Sequence, residues 1–175
     1  MIAGSTIIER KQIGLAVVGS GRIGTLRSRL AKDHPAVRFI AVSDLVEANA
    51  QKLAKTVGAS VASTDNRAII AHPEVNAVIV STSEGEHLDA VLAAIELGKP
   101  VLVEKPIALS TADADRIIAA AAKAGVEVRV GYSRRYKDRY LIAKEQIVQG
   151  RIGTVIGAAM RVYNSRSQAL AMLGR

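Results

Sequence analysis

The sequence predicts an α/β fold, a doubly wound parallel sheet, and three observations carry that expectation. Short apolar runs alternate with amphipathic stretches of helical spacing through the first 132 residues. The connections between them are short, as in parallel strands joined by helical crossovers on both faces of a sheet. Hydrophobic residues make up 49% of the chain and aromatics only 3%, a balance that suits helices packed on a buried sheet better than an aromatic-rich sandwich.

Taken in order, "IGLAVVG" (13–19) is a short apolar run ending in glycine and reads as a buried strand, with a helix following to about Lys32. "VRFIAVSD" (37–44) is the next strand and closes on an aspartate. A helix over 46–57 has Gly58 as its C-cap. A short strand near 59–63 precedes a short helix near "NRAII", stopped before Pro73. "VNAVIVST" (75–82) is the strongest central-strand signal. "EHLDAVLAAIELGK" (86–99) predicts an amphipathic helix ended by Gly98, and "PVLVEKP" (100–106) a strand stopped by Pro106. Residues 110–125 predict a helix from a serine or threonine cap to Gly125, and "VEVRVGY" (126–132) a further strand.

From Ser133 the rhythm changes. "RRYKDRYLIAKEQIVQG" reads as one long helix and "TVIGAAMRVYN" (154–164) as a strand. At 175 residues the chain has room for one sizeable core, or one core and part of another. The expected organisation is a ligand-binding domain over 1–132 and, over 133–175, the start of a second α+β domain for substrate or dimer contacts. One helix and one strand cannot cover both faces of a new sheet. The expectation is therefore a homo-oligomer through that second domain, or a natural protein that continues past Arg175.

The formal charge is +8, much of it late in the chain, a balance that raises nucleic acid, an anionic surface or a phosphorylated ligand as partners. No nucleic-acid recognition motif accompanies it, so no nucleic-acid partner is expected. Cysteine is absent, which removes disulfides, thiolate metal sites and a cysteine nucleophile. Charges interrupt the first dozen residues and no apolar run reaches the length of a membrane span, so the expected location is cytoplasmic, with no membrane partner.

Within "VVGSGRIGTLRSRL" (17–30), Gly19-Ser20-Gly21-Arg22-Ile23-Gly24 has the spacing of a dinucleotide fingerprint. In that pattern the first glycine permits the tight turn, the second admits a pyrophosphate and the third lets helix pack on strand. A plain glycine turn between strand and helix would use the same residues. Asp44, twenty residues past Gly24, ends the next strand, where a carboxylate accepts ribose hydroxyls and repels a 2'-phosphate. Leu45 follows it where an arginine would hold such a phosphate, which favours NAD over NADP. The G-K-[ST] ending of a P-loop is missing.

Three further stretches fall at carboxyl ends of predicted strands, where doubly wound sheets bind ligands: "STSEGEH" (81–87), "EKP" (104–106) and "GYSRRY" (131–136). Ser81, Thr82 and Ser83 either cap the loop or bond cofactor ribose and phosphate. His87 either touches the nicotinamide-side ribose or completes a helical turn, and no second ligand stands at metal spacing beside it, so no metal is expected. Lys105, after Glu104 and before a proline, either solubilises the sheet edge or moves a proton while hydride passes to nicotinamide.

Together "GSGRIG", "VSD", "STSEGEH", "AIELGKPVLVEKPIA" (94–108), "GYSRRY" and "GRIGTVIGAAM" (150–160) resemble the Gfo/Idh/MocA family of NAD(P)-dependent oxidoreductases over nearly the whole chain. The resemblance implies a Rossmann domain in which Gly19, Gly21, Arg22, Ile23 and Gly24 wrap the cofactor phosphates and Asp44 holds the adenosine ribose. It implies further that Thr82, Ser83 and His87 line the cofactor's path, that Glu104 and Lys105 lie by nicotinamide with Lys105 as the catalytic residue, and that Arg134 borders the cleft. The turn often read T-P-N in the family is Thr82-Ser83-Glu84 here, and glutamate lacks asparagine's donor. The implied activity is hydride transfer between NAD(P) and a secondary hydroxyl of a sugar, polyol or cyclitol, incomplete in this chain. The alternative is a non-catalytic NAD-binding sensor or assembly subunit.

Overall fold

The structure, a computed structural model, describes residues 12–161 together with Tyr163 and Arg166. Two units separate in it, Met1–Tyr132 and Ser133–Arg175.

In the first unit the strands are rich in valine and isoleucine: β1 Ile13–Val18, β2 Val37–Ser43, β3 Val61–Ser63, β4 Ala77–Val80, β5 Val101–Val103 and β6 Val128–Val130. All pair in parallel in the order β3-β2-β1-β4-β5-β6, so the winding reverses between β1 and β4. A crevice opens at such a reversal, beyond the carboxyl ends of the strands. The helices are α1 Arg22–Lys32, α2 Glu47–Val57, α3 Asn66–Ala71, α4 His87–Glu96 and α5 Thr111–Ala124.

The two-residue period of β1 divides the core. Ala16 and Val18 point to one face and pack with Ile69 and Ile70 of α3, Val91 and Ile95 of α4 and Ile117 of α5. Leu15 and Val17 point to the other and pack with Leu53 and Val57 of α2. Helices therefore cover both faces, as the doubly wound expectation requires.

Local signals explain where the helices begin and end. Ser110 accepts the Asp113 N–H at the start of α5, and Asp65 accepts the Ala68 N–H at the start of α3. Gly58 and Gly125 close α2 and α5 at φ of 69° and 65°, a left-handed conformation that favours glycine. Lys99 Nζ donates to the carbonyls of Ile70 (2.6 Å) and His72 (3.1 Å) at the end of α3, and its burial holds its pKa below the ordinary lysine value.

The strands expected over 75–82 and 126–132 shorten to Ala77–Val80 and Val128–Val130, and four further expectations need correction. The strand expected over 100–106 is only Val101–Val103; Glu104–Pro106 leave the sheet as a turn with a cis Lys105–Pro106 bond, since proline offers no N–H to a ladder. The helix expected from residue 86 is α4 from His87, preceded by a 3-10 turn, Glu84–Glu86. In the second unit the long helix divides into a 3-10 turn, Ser133–Tyr136, and α6, Asp138–Val148, which buries none of its residues. Residues 154–161 form no strand: the apolar pattern there has sheet propensity, but a ladder needs a partner strand and none pairs with them among the described residues. Residues 162 and 164 of that expected strand lie outside the described residues.

Candidate functional site

The glycine turn sits between β1 and α1, and its three glycines meet different surroundings. Gly19 has φ of 94°, and a Cβ there would lie 2.6 Å from the backbone of Ser81 and Thr82. A Cβ on Gly24 would lie 1.9 Å from the Gly19 carbonyl oxygen. Both glycines are therefore demanded by the protein's own packing. Gly21 is not: its φ of −68° suits any residue, and a Cβ there would meet nothing within 4 Å. Its missing side chain leaves open space at the start of α1, where no side chain caps the first N–H groups and no acidic residue stands in the first turn.

Hydrogen bonds fix this turn from both sides. Ser81 Oγ, buried, donates to the carbonyl region of Val18 (3.2 Å) and Gly19 (3.0 Å). Asp44, just past β2, accepts the Ser20 N–H at Oδ2 (2.9 Å), and at Oδ1 the Val46 N–H (2.9 Å) and the Asn49 amide (3.2 Å). The carboxylate is held half-exposed at the mouth of a cavity of about 290 Å³, lined also by Gly19, Gly21, Leu45, Asn66, Thr82 and Ser83. Arg22 is exposed and Ile23 half-buried in the first turn of α1.

A second turn, Glu104–Pro106, closes the carboxyl end of β5. The Glu104 N–H donates to the Val80 carbonyl (2.9 Å), tying the turn to β4. Arg27, from α1, donates through Nε (2.9 Å) and Nη2 (2.5 Å) to Glu104 Oε1. Lys105 is exposed and has no ion-pair or hydrogen-bond partner among the described residues.

His87 opens α4, in the first helical turn as one sequence reading has it, and its ring is buried. It is 1% exposed; Nδ1 lies 2.8 Å from the Pro106 carbonyl oxygen and Nε2 3.3 Å from that of Thr82. The shorter contact assigns the N–H to Nδ1. Through that bond His87 holds the 104–106 turn to the start of α4, while Nε2, carrying no hydrogen, packs beside the Thr82 carbonyl without bonding it; the ring is not among the residues lining the cavity. Thr82 and Ser83 do line it. Arg134 lies in the second unit, exposed, in the 3-10 turn Ser133–Tyr136.

Two participants carry no sequence signal. Arg27 is one of several basic residues in "RIGTLRSRLAK", and its partner lies 77 residues away. Asn66 lines the cavity with its Oδ1 buried and unpartnered, yet reads in sequence as an ordinary residue near a helix start. A larger apolar groove of about 440 Å³, bordered by Leu30, His34 and Leu102, lies toward the amino ends of the strands, away from these turns. Among the described residues no cluster of three metal-ligating side chains occurs, and no helix is long and apolar enough to cross a membrane.

Known proteins share the fold that carries these turns. A sequence model described as an oxidoreductase family with an NAD-binding Rossmann fold matches residues 13–132. An inositol 2-dehydrogenase from Gluconacetobacter diazotrophicus is 37% identical over 147 residues, covering 82% of this chain and 44% of its own length. A scyllo-inositol 2-dehydrogenase (NAD(+)) from Bacillus subtilis is 32% identical over 146 residues, 83% of this chain and 43% of that protein. The crystal structure of scyllo-inositol dehydrogenase from Lactobacillus casei with bound NAD(H) and scyllo-inositol is similar with a TM-score of 0.77 at 28% identity, over 82% of this chain and 43% of that one. The chain thus spans less than half the length of these relatives. With the glycine turn, the Asp44 strand end and the Glu104–Pro106 turn all inside the matched region, the chain belongs to the Gfo/Idh/MocA oxidoreductase family and carries its NAD-binding Rossmann fold.

Proposed function

We propose that this chain is the cofactor-binding part of an oxidoreductase that transfers hydride between NAD and a secondary hydroxyl of a sugar, polyol or cyclitol. The observation that carries the reading is the contrast among the three glycines. Gly19 and Gly24 are explained by packing, whereas Gly21 leaves a space that nothing in the protein fills. A pyrophosphate at the uncapped start of α1 accounts for that space.

Each residue then has a task. Gly21 and the first amides of α1 bind the pyrophosphate, and Arg22 adds positive charge beside it. Asp44, pre-oriented by three donors, accepts an adenosine ribose hydroxyl and repels a 2'-phosphate, which sets NAD above NADP. Thr82 and Ser83 border the path of the cofactor, while His87 shapes that path from behind. Lys105 Nζ, unpaired at the carboxyl end of β5, takes the proton of the substrate hydroxyl on oxidation and returns it on reduction. The nicotinamide supplies the hydride chemistry. The relatives named for inositol dehydrogenation, and the one solved with scyllo-inositol, support the cyclitol class. The second unit, Ser133–Arg175, would begin a domain that completes the substrate site and the oligomer.

Titration calorimetry of this chain with NAD⁺ and NADP⁺ tests the reading, repeated on Asp44→Ala. The expected result is saturable binding that favours NAD⁺ and weakens about tenfold in the variant, roughly 1.4 kcal/mol. Folded protein that binds neither dinucleotide would overturn it. Normal NAD⁺ binding without polyol oxidation by the longer protein would favour the sensor or assembly reading.

A further inference from the structure

The Arg27–Glu104 pair belongs to no step of the reading above, yet three elements converge on it. Arg27 stands on the helix that begins at the glycine turn, and both of its donors meet one oxygen, Glu104 Oε1. The two side chains are 24% and 14% exposed, so the pair is shielded from most solvent. At the exit of β6, a Cβ on Gly131 would lie 3.0 Å from Glu104 Oε1 and 3.1 Å from Arg27 Nη2. The glycine leaves the pair its room.

Its place on the sheet gives the pair a consequence for chemistry. In a doubly wound sheet the two nucleotides of a dinucleotide lie over the two halves, on either side of the winding reversal. Asp44 marks the β1–β2–β3 half as the adenosine side, which leaves the β4–β5–β6 half, where Glu104 sits, for nicotinamide. The oxidised nicotinamide ring is a cation and the reduced ring is neutral. An uncompensated carboxylate at that end would hold the oxidised form more tightly than the reduced one. It would also attract the neighbouring Lys105 ammonium.

We propose that Arg27 is a positioning residue that fixes and neutralises Glu104, thereby setting the balance between oxidised and reduced cofactor and leaving Lys105 unpaired for the substrate. This rests on the cofactor reading above. Arg27 itself touches neither cofactor nor substrate; it acts through Glu104.

The test is the dissociation constants of NAD⁺, NADH and ADP-ribose for the unaltered chain and for Arg27→Gln, Arg27→Lys, Glu104→Gln and the double variant Arg27→Gln/Glu104→Gln. Removing Arg27's charge is expected to shift the NAD⁺-to-NADH preference about fivefold toward NAD⁺, the size of one partly screened charge at that range, with ADP-ribose affinity unchanged. Glu104→Gln, which leaves Arg27 unbalanced, shifts the ratio the other way. Arg27→Lys and the double variant return it near the starting value. Should Arg27→Gln fail to fold, the Glu104→Gln shift carries the test alone. An unchanged ratio in the folded single variants, or an equal loss for all three ligands, overturns the proposal and leaves the pair a structural brace. Folded, unaltered chain that binds neither NAD⁺ nor NADH overturns the cofactor reading first, an outcome separate from binding with an unmoved ratio.

Discussion

The glycine turn and the Glu104–Pro106 turn close the same end of the same sheet with opposite materials. At Gly19 and Gly24 the chain has removed side chains so that backbone can lie on backbone, with a hypothetical Cβ at 2.6 Å and 1.9 Å from its neighbours. At Glu104–Pro106 it has recruited side chains from elsewhere: Arg27 from α1 holds the glutamate, and His87 from α4 holds the proline carbonyl. The first turn is rigid because nothing else fits. The second is rigid only while its braces stand, so its geometry can be retuned by substitution at a distance.

The largest expected effect follows from the steric turn. Gly24→Ala places a methyl against the Gly19 carbonyl, which is backbone and cannot swing aside. A loss of about 3 kcal/mol or more is expected, from strain of the kind that overpacked cores show. Chemical denaturation measures it. A variant as stable as the parent would mean that the turn yields, and that the contrast between the two turns is one of degree only.

The same contrast decides what was legible in the sequence. The signals for β1, the glycine turn, β2 with Asp44 just past it, and the glycine-ended α2 and α5 lie in residues next to one another, even though the backbone that Gly19 must clear belongs to Ser81 and Thr82. Braces are not local. Nothing near Arg27 announces a partner 77 residues on, and a histidine in a first helical turn looks the same whether it faces a ligand or two carbonyl oxygens. The missed boundaries have a related cause. Val101–Val103 runs on into Glu104–Pro106 as one extended pattern, and residues 154–161 have strand composition, but what makes or ends a strand is its ladder of partners. Propensity does not supply those.

Removing a brace should cost less than forcing a Cβ into the glycine turn. His87→Ala deletes a side chain that is 1% exposed and strips the N–H that serves the Pro106 carbonyl, for an expected loss of about 2 to 3 kcal/mol. The informative readout is hydrogen exchange. The amides of Glu86, bonded to the Ser83 carbonyl, and of Glu104, bonded to the Val80 carbonyl, should lose protection together, because the ring packs between the loop after β4 and the 104–106 turn, while the Gly19 N–H, bonded to the Ser43 carbonyl, keeps its own. Loss of protection in only one loop would show that His87 does not couple them.

The smallest stability effect belongs to Gly21, and it separates architecture from ligand within a single turn. A Cβ at Gly21 meets nothing within 4 Å and needs no unusual φ, so Gly21→Val should lower unfolding free energy by no more than about 1 kcal/mol, the cost of an apolar N-cap. The isopropyl group would occupy the space a pyrophosphate needs, and NAD⁺ affinity should fall at least about tenfold. Gly24→Ala damages the fold and Gly21→Val damages chiefly the site, although the two positions stand three residues apart in one fingerprint. If Gly21→Val binds NAD⁺ as the parent does, the open space at the start of α1 is not where the phosphates lie, and the glycine spacing reduces to a strand-to-helix turn.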